Sequence, residues 1–163
     1  MGNVNHITIF LAGHDAQERI LLEETLVEAG MHAMLAYYET TAELLLELQS
    51  NEPKPNAVFL DSDTLKMRGL FALKHMRLME TCKNILTIVF STTSYIDDIN
   101  QAFALGANLF VPKPVFMRNK VTAIETIFSI DWTNALQDRN RSMFVLNAAN
   151  LLVEQNSNKN KGF

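Results

Sequence analysis

The chain has 163 residues, of which 48% are hydrophobic, enough to bury the core of one ordinary domain. Its formal net charge of −4 argues against a general nucleic-acid binder, which normally presents a basic face. A single cysteine, Cys82, excludes an internal disulfide framework, and no apolar run or N-terminal signal pattern points to a membrane, so we expect a soluble cytoplasmic protein without nucleic-acid or membrane partners.

The chain begins with two short apolar runs separated by a helical pattern. Residues 6–12 and 34–38 are rich in β-branched, aromatic and other apolar side chains, which is typical of buried strands. In the helix predicted between them, Asp15 and Glu18 form a candidate N-terminal capping pair, and Gly30 is a natural stop.

The same alternation continues through the next hundred residues. The further elements predicted are a helix over 40–50, a strand over 57–61, a helix over 70–81, a strand over 85–91, a helix over 94–105, a strand over 108–111 and a helix over 116–130. Five strands that alternate with five helices indicate an α/β fold, in which helices cover both faces of a parallel sheet.

Chemically distinct side chains stand at the carboxyl ends of the predicted strands, where such sheets bind their ligands. Gly13 and His14 follow the first strand, Asp61 ends the third, Ser91 ends the fourth and Lys113 lies just past the fifth. A carboxylate, a hydroxyl and an ammonium in one crevice suit phosphoryl chemistry, because an aspartate can hold an acyl phosphate while a lysine offsets its charge. We therefore expect the last three side chains to meet in one pocket.

Over roughly residues 5 to 130 the sequence resembles the receiver domain of two-component response regulators. The resemblance is carried by AVFLDSD at 57–63 with Gly69 behind it, by IVFS ending at Ser91, and by GANLFVPKP at 106–114. It implies a flavodoxin-like (βα)5 doubly wound parallel sheet with the strand order 2-1-3-4-5.

The resemblance also implies roles for five residues. Asp61 becomes the phosphoacceptor and a ligand of Mg²⁺, and Asp63 contributes its backbone carbonyl to the same metal. Ser91 becomes the hydroxyl that swings toward the phosphoryl group, and Lys113 the basic partner of the acyl phosphate. Phe110 takes the place of the aromatic switch residue, whose ring follows the hydroxyl inward.

The metal site departs from the family pattern. Receivers usually carry two adjacent acidic residues after the first strand, where this chain has Gly13 and His14. Asp15 follows one place late; it is a candidate Mg²⁺ ligand, although as a partner of Glu18 it is better explained as a helix cap. Alternatively, His14 binds a softer metal such as Zn²⁺ or is simply an exposed loop residue. Ordinary Mg²⁺-dependent phosphorylation should be weakened.

These features favour residues 1–130 as a receiver-like domain that accepts a phosphoryl group on Asp61 from a sensor histidine kinase or phosphotransfer protein. It would signal by contact with a downstream protein and would not be a metabolic enzyme. The contact surface would comprise the fourth predicted helix (94–105), the fifth strand (108–111) and the fifth helix (116–130). One alternative is a phosphorylation-independent pseudo-receiver that acts as an adaptor. A flavin or cobalamin carrier is disfavoured, because AGHDAQ lacks a phosphate-cradling composition and no Asp-x-His-x-x-Gly pattern occurs.

Residues 131–163 form an extension that is too short for an independent DNA-binding domain. Trp132 is expected to anchor it to the body. Residues 144–153 have helical spacing, but MFVL at 143–146 also suits a strand, and both possibilities stay open. The extension could cover the output surface or build a homodimer, and the polar residues 156–163 should be disordered.

Overall fold

The computed structural model describes residues 6–50, 52–65, 67–93, 95–130, 132 and 139–151. The strands are β1 (Ile7–Ala12), β2 (Ala33–Tyr38), β3 (Ala57–Asp61), β4 (Leu86–Ser91) and β5 (Leu109–Pro112). The helices are α1 (Ala16–Glu28), α2 (Thr41–Gln49), α3 (Ser62–Leu65), α4 (Met67–Leu78), α5 (Ile96–Ala104), α6 (Lys113–Arg118) and α7 (Lys120–Ser129), followed by a 3-10 turn at Arg141–Met143.

The five strands form one parallel sheet in the order β2-β1-β3-β4-β5. This is the doubly wound flavodoxin-like topology that the sequence predicted. Strands β3 and β4 are buried along their whole length, which explains why their sequences are nearly unbroken apolar runs. Among the residues that the structure describes, we find no helix with the length and apolar character needed to cross a bilayer.

Alternate residues of the strands pack into two apolar layers. Phe59 of β3 faces the layer that holds Leu22 of α1 and Ile124 of α7. Its neighbour Leu60 faces the opposite layer, with Leu73 of α4. Because successive side chains of a strand point to opposite faces, the helices on both sides of the sheet are needed to bury β3.

The helix predicted over 116–130 is two helices in the structure. The first of them begins three residues earlier, at Lys113, because Pro114 is tolerated in a first turn whose N–H groups need no intrahelical partner. Asn119 then leaves the helical region of the backbone, with φ −140° and ψ 41°, and separates α6 from α7. The helix predicted to begin at Ser94 starts at Ile96, and Ser94 itself lies outside the described residues.

The extension returns to the body of the protein. The Trp132 indole N–H donates a 2.7 Å hydrogen bond to the carbonyl of Ile127, as expected for an anchor. Further along, the chain contains the 3-10 turn at Arg141–Met143 and helical residues 148–151, so the described part is neither one strand nor one long helix. The predicted disordered end at 156–163 lies outside the described residues.

Between these turns the extension pairs with the outer edge of β5. Val145 forms a parallel bridge with Phe110. The Phe110 N–H donates to the Phe144 carbonyl at 2.8 Å, and the Leu146 N–H donates to the Phe110 carbonyl at 2.9 Å. The Phe144 ring packs edge-on against Phe103 of α5, with ring centroids 5.1 Å apart. The extension therefore covers part of the surface that the resemblance assigns to signal output.

Candidate functional site

Asp61 lies at the end of β3, where a rigid buried strand presents a carboxylate to the crevice. Its side chain is fully buried, with 0% of its surface exposed. The Oδ1 atom accepts a hydrogen bond from the Lys113 ammonium at 3.0 Å and another from the Asp63 N–H at 3.0 Å. The strand fixes the position of the carboxylate, and these two donors fix its orientation.

Lys113 follows β5 directly and lies at the centre of an acidic group. Its Nζ atom is 3.0 Å from Asp61, 2.8 Å from Asp63 and in contact with Glu18. The ammonium lies 5.3 Å from the centre of the Phe90 ring. Burial alone would lower the pKa of Lys113, but its hydrogen bonds to Asp63, Glu18 and Asp61 outweigh this effect and raise it. The lysine therefore stays charged and neutralises part of the pocket.

Glu18 is the functional residue that the sequence reasoning missed, because it was assigned to helix capping. Its carboxyl group contacts Lys113 instead. Burial, followed by a hydrogen bond with Asp61, raises the pKa of Glu18 to about 8, although Lys113 opposes this shift. A signal was present in the sequence: Glu18 precedes the buried residues Leu22 and Leu26 by four and eight positions, which puts it on the buried face of α1.

The sequence offered Asp15 as a metal ligand but favoured it as the cap of the first helix. Its carboxylate accepts a 2.8 Å hydrogen bond from the Gln17 N–H and so caps α1, which confirms the capping half of the prediction. In the described part of the chain, the group of carboxylates close enough to share a metal ion does not include Asp15. His14 is exposed and lies outside this group as well.

Three carboxyl groups have the spacing needed to share a divalent cation. Ligand atoms of Glu18, Asp61 and Asp63 all lie within 4.8 Å of one another. Oxygen atoms are the ligands that Mg²⁺ and Mn²⁺ prefer, so the chemistry of this set fits a hard divalent cation. Compared with the site expected from the sequence, Asp15 lies outside this group and Glu18, in the first turn of α1, lies inside it.

The side chain of Asp63 points into the pocket, whereas the resemblance assigned the backbone carbonyl of this residue to the metal. Its Oδ1 accepts from the Ser91 hydroxyl at 3.0 Å and from the Thr92 N–H at 3.1 Å. Its Oδ2 accepts from the same N–H at 2.9 Å and from the Lys113 ammonium at 2.8 Å. We call these three donor groups, the Ser91 hydroxyl, the Thr92 N–H and the Lys113 ammonium, the anion cradle.

Phe110 lies one strand away from Asp61, on β5. Its side chain is 1% exposed and borders a cavity of about 240 Å³ whose lining includes Ser62, Thr93 and Asp98. The Phe144 ring of the extension lies 6.4 Å from it, between ring centroids. The residue suggested as the aromatic switch therefore has a cavity beside it and is held by the extension through its backbone.

No protein-family model matches the sequence, and no curated protein matches it. Among solved structures, the response regulator RPA3017 in red light signalling of R. palustris is 23% identical, with a TM-score of 0.68 over 79% of this chain and 95% of that chain. The phosphorylated cyanobacterial phytochrome response regulator RcpA is 22% identical, with a TM-score of 0.68 over 79% and 96%. The Mn²⁺-bound response regulator Rcp1 is 23% identical, with a TM-score of 0.64 over 75% and 94%. These likenesses establish the receiver fold.

Proposed function

We propose that this chain is a receiver of two-component signalling and that Asp61 accepts a phosphoryl group from a phosphohistidine on a sensor kinase or phosphotransfer protein. The observation that carries the proposal is the 3.0 Å contact between the Lys113 ammonium and the fully buried Asp61 carboxylate, beside further anion donors. Structural neighbours with the same fold are named as response regulators, which supports the same role. The role would be signalling in the cytoplasm rather than metabolic turnover.

The transfer requires positioning and charge neutralisation. An Asp61 oxygen forms the new P–O bond while the P–N bond of the phosphohistidine breaks, and the leaving imidazole keeps the electron pair and takes up a proton. The Lys113 ammonium offsets the charge of the phosphoryl group, and the Ser91 hydroxyl and Thr92 N–H are placed to donate to its oxygens. All these groups are fixed by the fold before the donor arrives.

Glu18 and Asp61, with the backbone carbonyl of Asp63, would hold a divalent cation such as Mg²⁺. When bound, the cation supplies further neutralisation of the charge on the phosphoryl oxygens. Because Glu18 holds its proton up to about pH 8 in this structure, cation binding should release a proton and should strengthen as the pH rises.

The direct test is intact-mass spectrometry after incubation with acetyl phosphate and Mg²⁺. We expect the wild-type chain to gain the mass of one phosphoryl group and the Asp61→Asn variant to gain none. Asp97→Asn, which changes an exposed carboxylate in the first turn of α5, is the matched control and should behave as wild type. Equal labelling of wild type and Asp61→Asn would exclude Asp61 as the phosphoacceptor.

A second candidate function is that of a phosphorylation-independent adaptor. Two observations favour it: Gly13 and His14 replace the usual acidic pair, and Lys113 contacts all three carboxylates of the cluster. A titration with beryllofluoride and Mg²⁺, followed through the backbone amides of residues 91–93, separates the two functions. Shifts that saturate support the phosphoryl acceptor, whereas unchanged spectra at millimolar Mg²⁺ support the adaptor.

The signal would pass to a downstream protein or to a second copy of this chain in a homodimer. The extension pairs with β5 and packs on α5, so it forms part of the surface that a target would meet there. We therefore propose that residues 139–151 contribute to output, either as part of the binding surface or as a segment that the target displaces.

A further inference from the structure

The anion cradle is already filled by a side chain of the same molecule. The Asp63 carboxylate accepts hydrogen bonds from the Ser91 hydroxyl, from the Thr92 N–H, which is shared by both carboxylate oxygens, and from the Lys113 ammonium. Each of these contacts is a hydrogen bond to a charged group, the class that is shorter and stronger than bonds between neutral groups. The carboxylate is therefore bound as a ligand would be, with 23% of its side chain exposed.

The three donors come from two places in the fold. Ser91 ends β4, Thr92 follows it in the next loop, and Lys113 begins α6 beyond β5. A hydroxyl, a backbone N–H and an ammonium that converge on one point are the donors expected around a phosphoryl group. Asp63 reaches them because its own N–H is held by Asp61 Oδ1 at 3.0 Å, which directs the start of α3 toward β4.

We propose that Asp63 is a resident carboxylate that occupies the anion cradle in cis, so that a phosphoryl group on Asp61 must displace it. This inference rests on the proposed function, in which the cradle serves the phosphoryl group. The unmodified chain thus has an anion where a phosphorylated one would carry its phosphoryl oxygens. The Ser91 hydroxyl accordingly points into the pocket, toward the Asp63 carboxylate.

Two consequences follow for the pocket. Occupancy of the anion cradle by Asp63 slows phosphorylation of Asp61, because the incoming phosphoryl group competes with a carboxylate of the same chain that is always present at high effective concentration. It also lessens the change that phosphorylation brings to Ser91 and Lys113, because both already bind an anion. Asp63 therefore keeps Ser91 and Lys113 bound to an anion before a phosphoryl donor arrives.

The test separates two effects of the side chain at position 63, namely that it fills the anion cradle and that it carries a negative charge. Three chains that all carry Asp61→Asn, and so cannot be phosphorylated there, differ only at position 63: Asp, Asn or Ala. Inorganic phosphate is titrated into each in the presence of a chelator, and binding is followed by the Thr92 amide resonance and by calorimetry. Asn and Ala have the same charge, but only the Asn side chain still fills the cradle.

We expect the chain with Ala at position 63 to bind phosphate about tenfold more tightly than the chain with Asn there, because phosphate then gains hydrogen bonds from the cradle donors that Asn would occupy. The chain with Asp at position 63 should bind phosphate most weakly. Equal affinities of the Ala and Asn chains would overturn the inference, since charge alone would then explain the effect. Absence of phosphate binding to the Ala chain would overturn it too. Dispersed amide spectra establish that each variant folds, and Asp63→Ser supplies a second emptied cradle if Asp63→Ala does not fold.

The inference and the proposed function fail differently. With Asp61 intact, Asp63→Ala should accept phosphoryl groups from acetyl phosphate about tenfold faster than wild type, whereas Asp97→Ala should not. If no variant gains mass while the phosphate titration gives the expected order, Asp61 is not the acceptor but Asp63 does fill the cradle. If wild type and Asp63→Ala are phosphorylated at the same rate, Asp61 is the acceptor and the resident role of Asp63 is wrong.

Discussion

At the scale of single residues, three carboxyl groups of the pocket share contacts with one ammonium group. Lys113 contacts Asp61, Asp63 and Glu18, so full ionisation would leave an excess of negative charge in a largely buried site. Burial and the neighbouring Asp61 raise the pKa of Glu18 to about 8. Glu18 therefore keeps its proton at neutral pH, which relieves this excess of negative charge. The protonated carboxyl group also becomes a hydrogen-bond donor to its neighbour.

This shift predicts a pH dependence of stability in the metal-free protein. The pKa of Glu18 is 4.5 unperturbed and about 8 in the folded chain, so between these values the folded state binds more protons than the unfolded state. The free energy of unfolding should therefore fall as the pH rises through this interval, by about 2 kcal/mol, because partial exposure screens the group. Glu18→Gln should remove this fall and make the variant more stable than wild type at pH 8, as measured by urea unfolding in a chelator.

Glu24→Gln is the control for the Glu18 variant, because Glu24 is exposed on the same helix. The remaining ionisable residues are common to wild type and Glu18→Gln, so their contributions cancel in the difference between the two curves. Parallel curves of wild type and Glu18→Gln would show that Glu18 ionises normally in the folded chain.

The sequence predicted part of this pocket and missed part, for identifiable reasons. Asp61 and Lys113 were predictable because both follow buried strands, and the ends of parallel strands meet at one edge of the sheet. Glu18 was missed because a glutamate three residues after an aspartate also matches a capping pair. The Asp63 contact with Ser91 joins positions 28 residues apart and depends on the direction in which α3 leaves β3, which composition does not specify.

At the scale of elements, one arginine connects the helix α4 to the loops that precede β4 and β5. The Arg77 guanidinium donates to the carbonyls of Gly106 at 2.8 Å and Ile85 at 3.0 Å, and to the side-chain oxygen of Asn108 at 2.8 Å. Burial, with a contribution from Arg139, lowers the pKa of Arg77 to about 10. It remains charged at neutral pH and donates hydrogen bonds to the carbonyl groups of these loops.

Gly106 and Gly30 form a matched pair for testing this connection. Both have positive φ, +105° and +69°, but a Cβ atom on Gly106 would lie 2.8 Å from Cγ of Arg77, whereas one on Gly30 would have no neighbour within 4 Å. We expect Gly30→Ala to cost about 1 kcal/mol for backbone strain alone. Gly106→Ala should cost about 3 kcal/mol, because Arg77 must also move. Urea unfolding measures both, and equal costs would mean that Arg77 is not fixed against this loop.

Sequence patterns predicted the strands better than the helix boundaries. Each strand is a short apolar run bounded by polar or turn residues, so its limits were correct to within one residue. The break at Asn119 was missed, because apolar residues occur at helical spacing on both sides of it. The short helix α3 was also missed, since four residues carry no periodic signal.

At the scale of the whole molecule, the extension closes an edge of the sheet. An edge strand offers unpaired N–H and C=O groups to other chains unless another segment covers it. Phe110 uses both of its backbone groups to bind the extension, and Phe144, 1% exposed, fills the space between β5 and α5. The same strand leads directly into Lys113, so β5 connects the covered edge to the pocket that holds Asp61.

Shortening the chain tests what this cover contributes. A chain that ends at residue 138 loses the Phe144 ring and both hydrogen bonds to Phe110, which should lower the free energy of unfolding by about 3 to 5 kcal/mol. The bared edge of β5 should also make this chain self-associate with rising concentration, as measured by analytical ultracentrifugation. A chain that ends at residue 155 retains the paired segment and loses only the polar residues 156–163, so it should match the full chain in stability and mass. If the chain ending at 138 stays monomeric with unchanged stability, the extension is neither an anchor nor an edge cover, and its contact with Phe110 contributes nothing to the folded state.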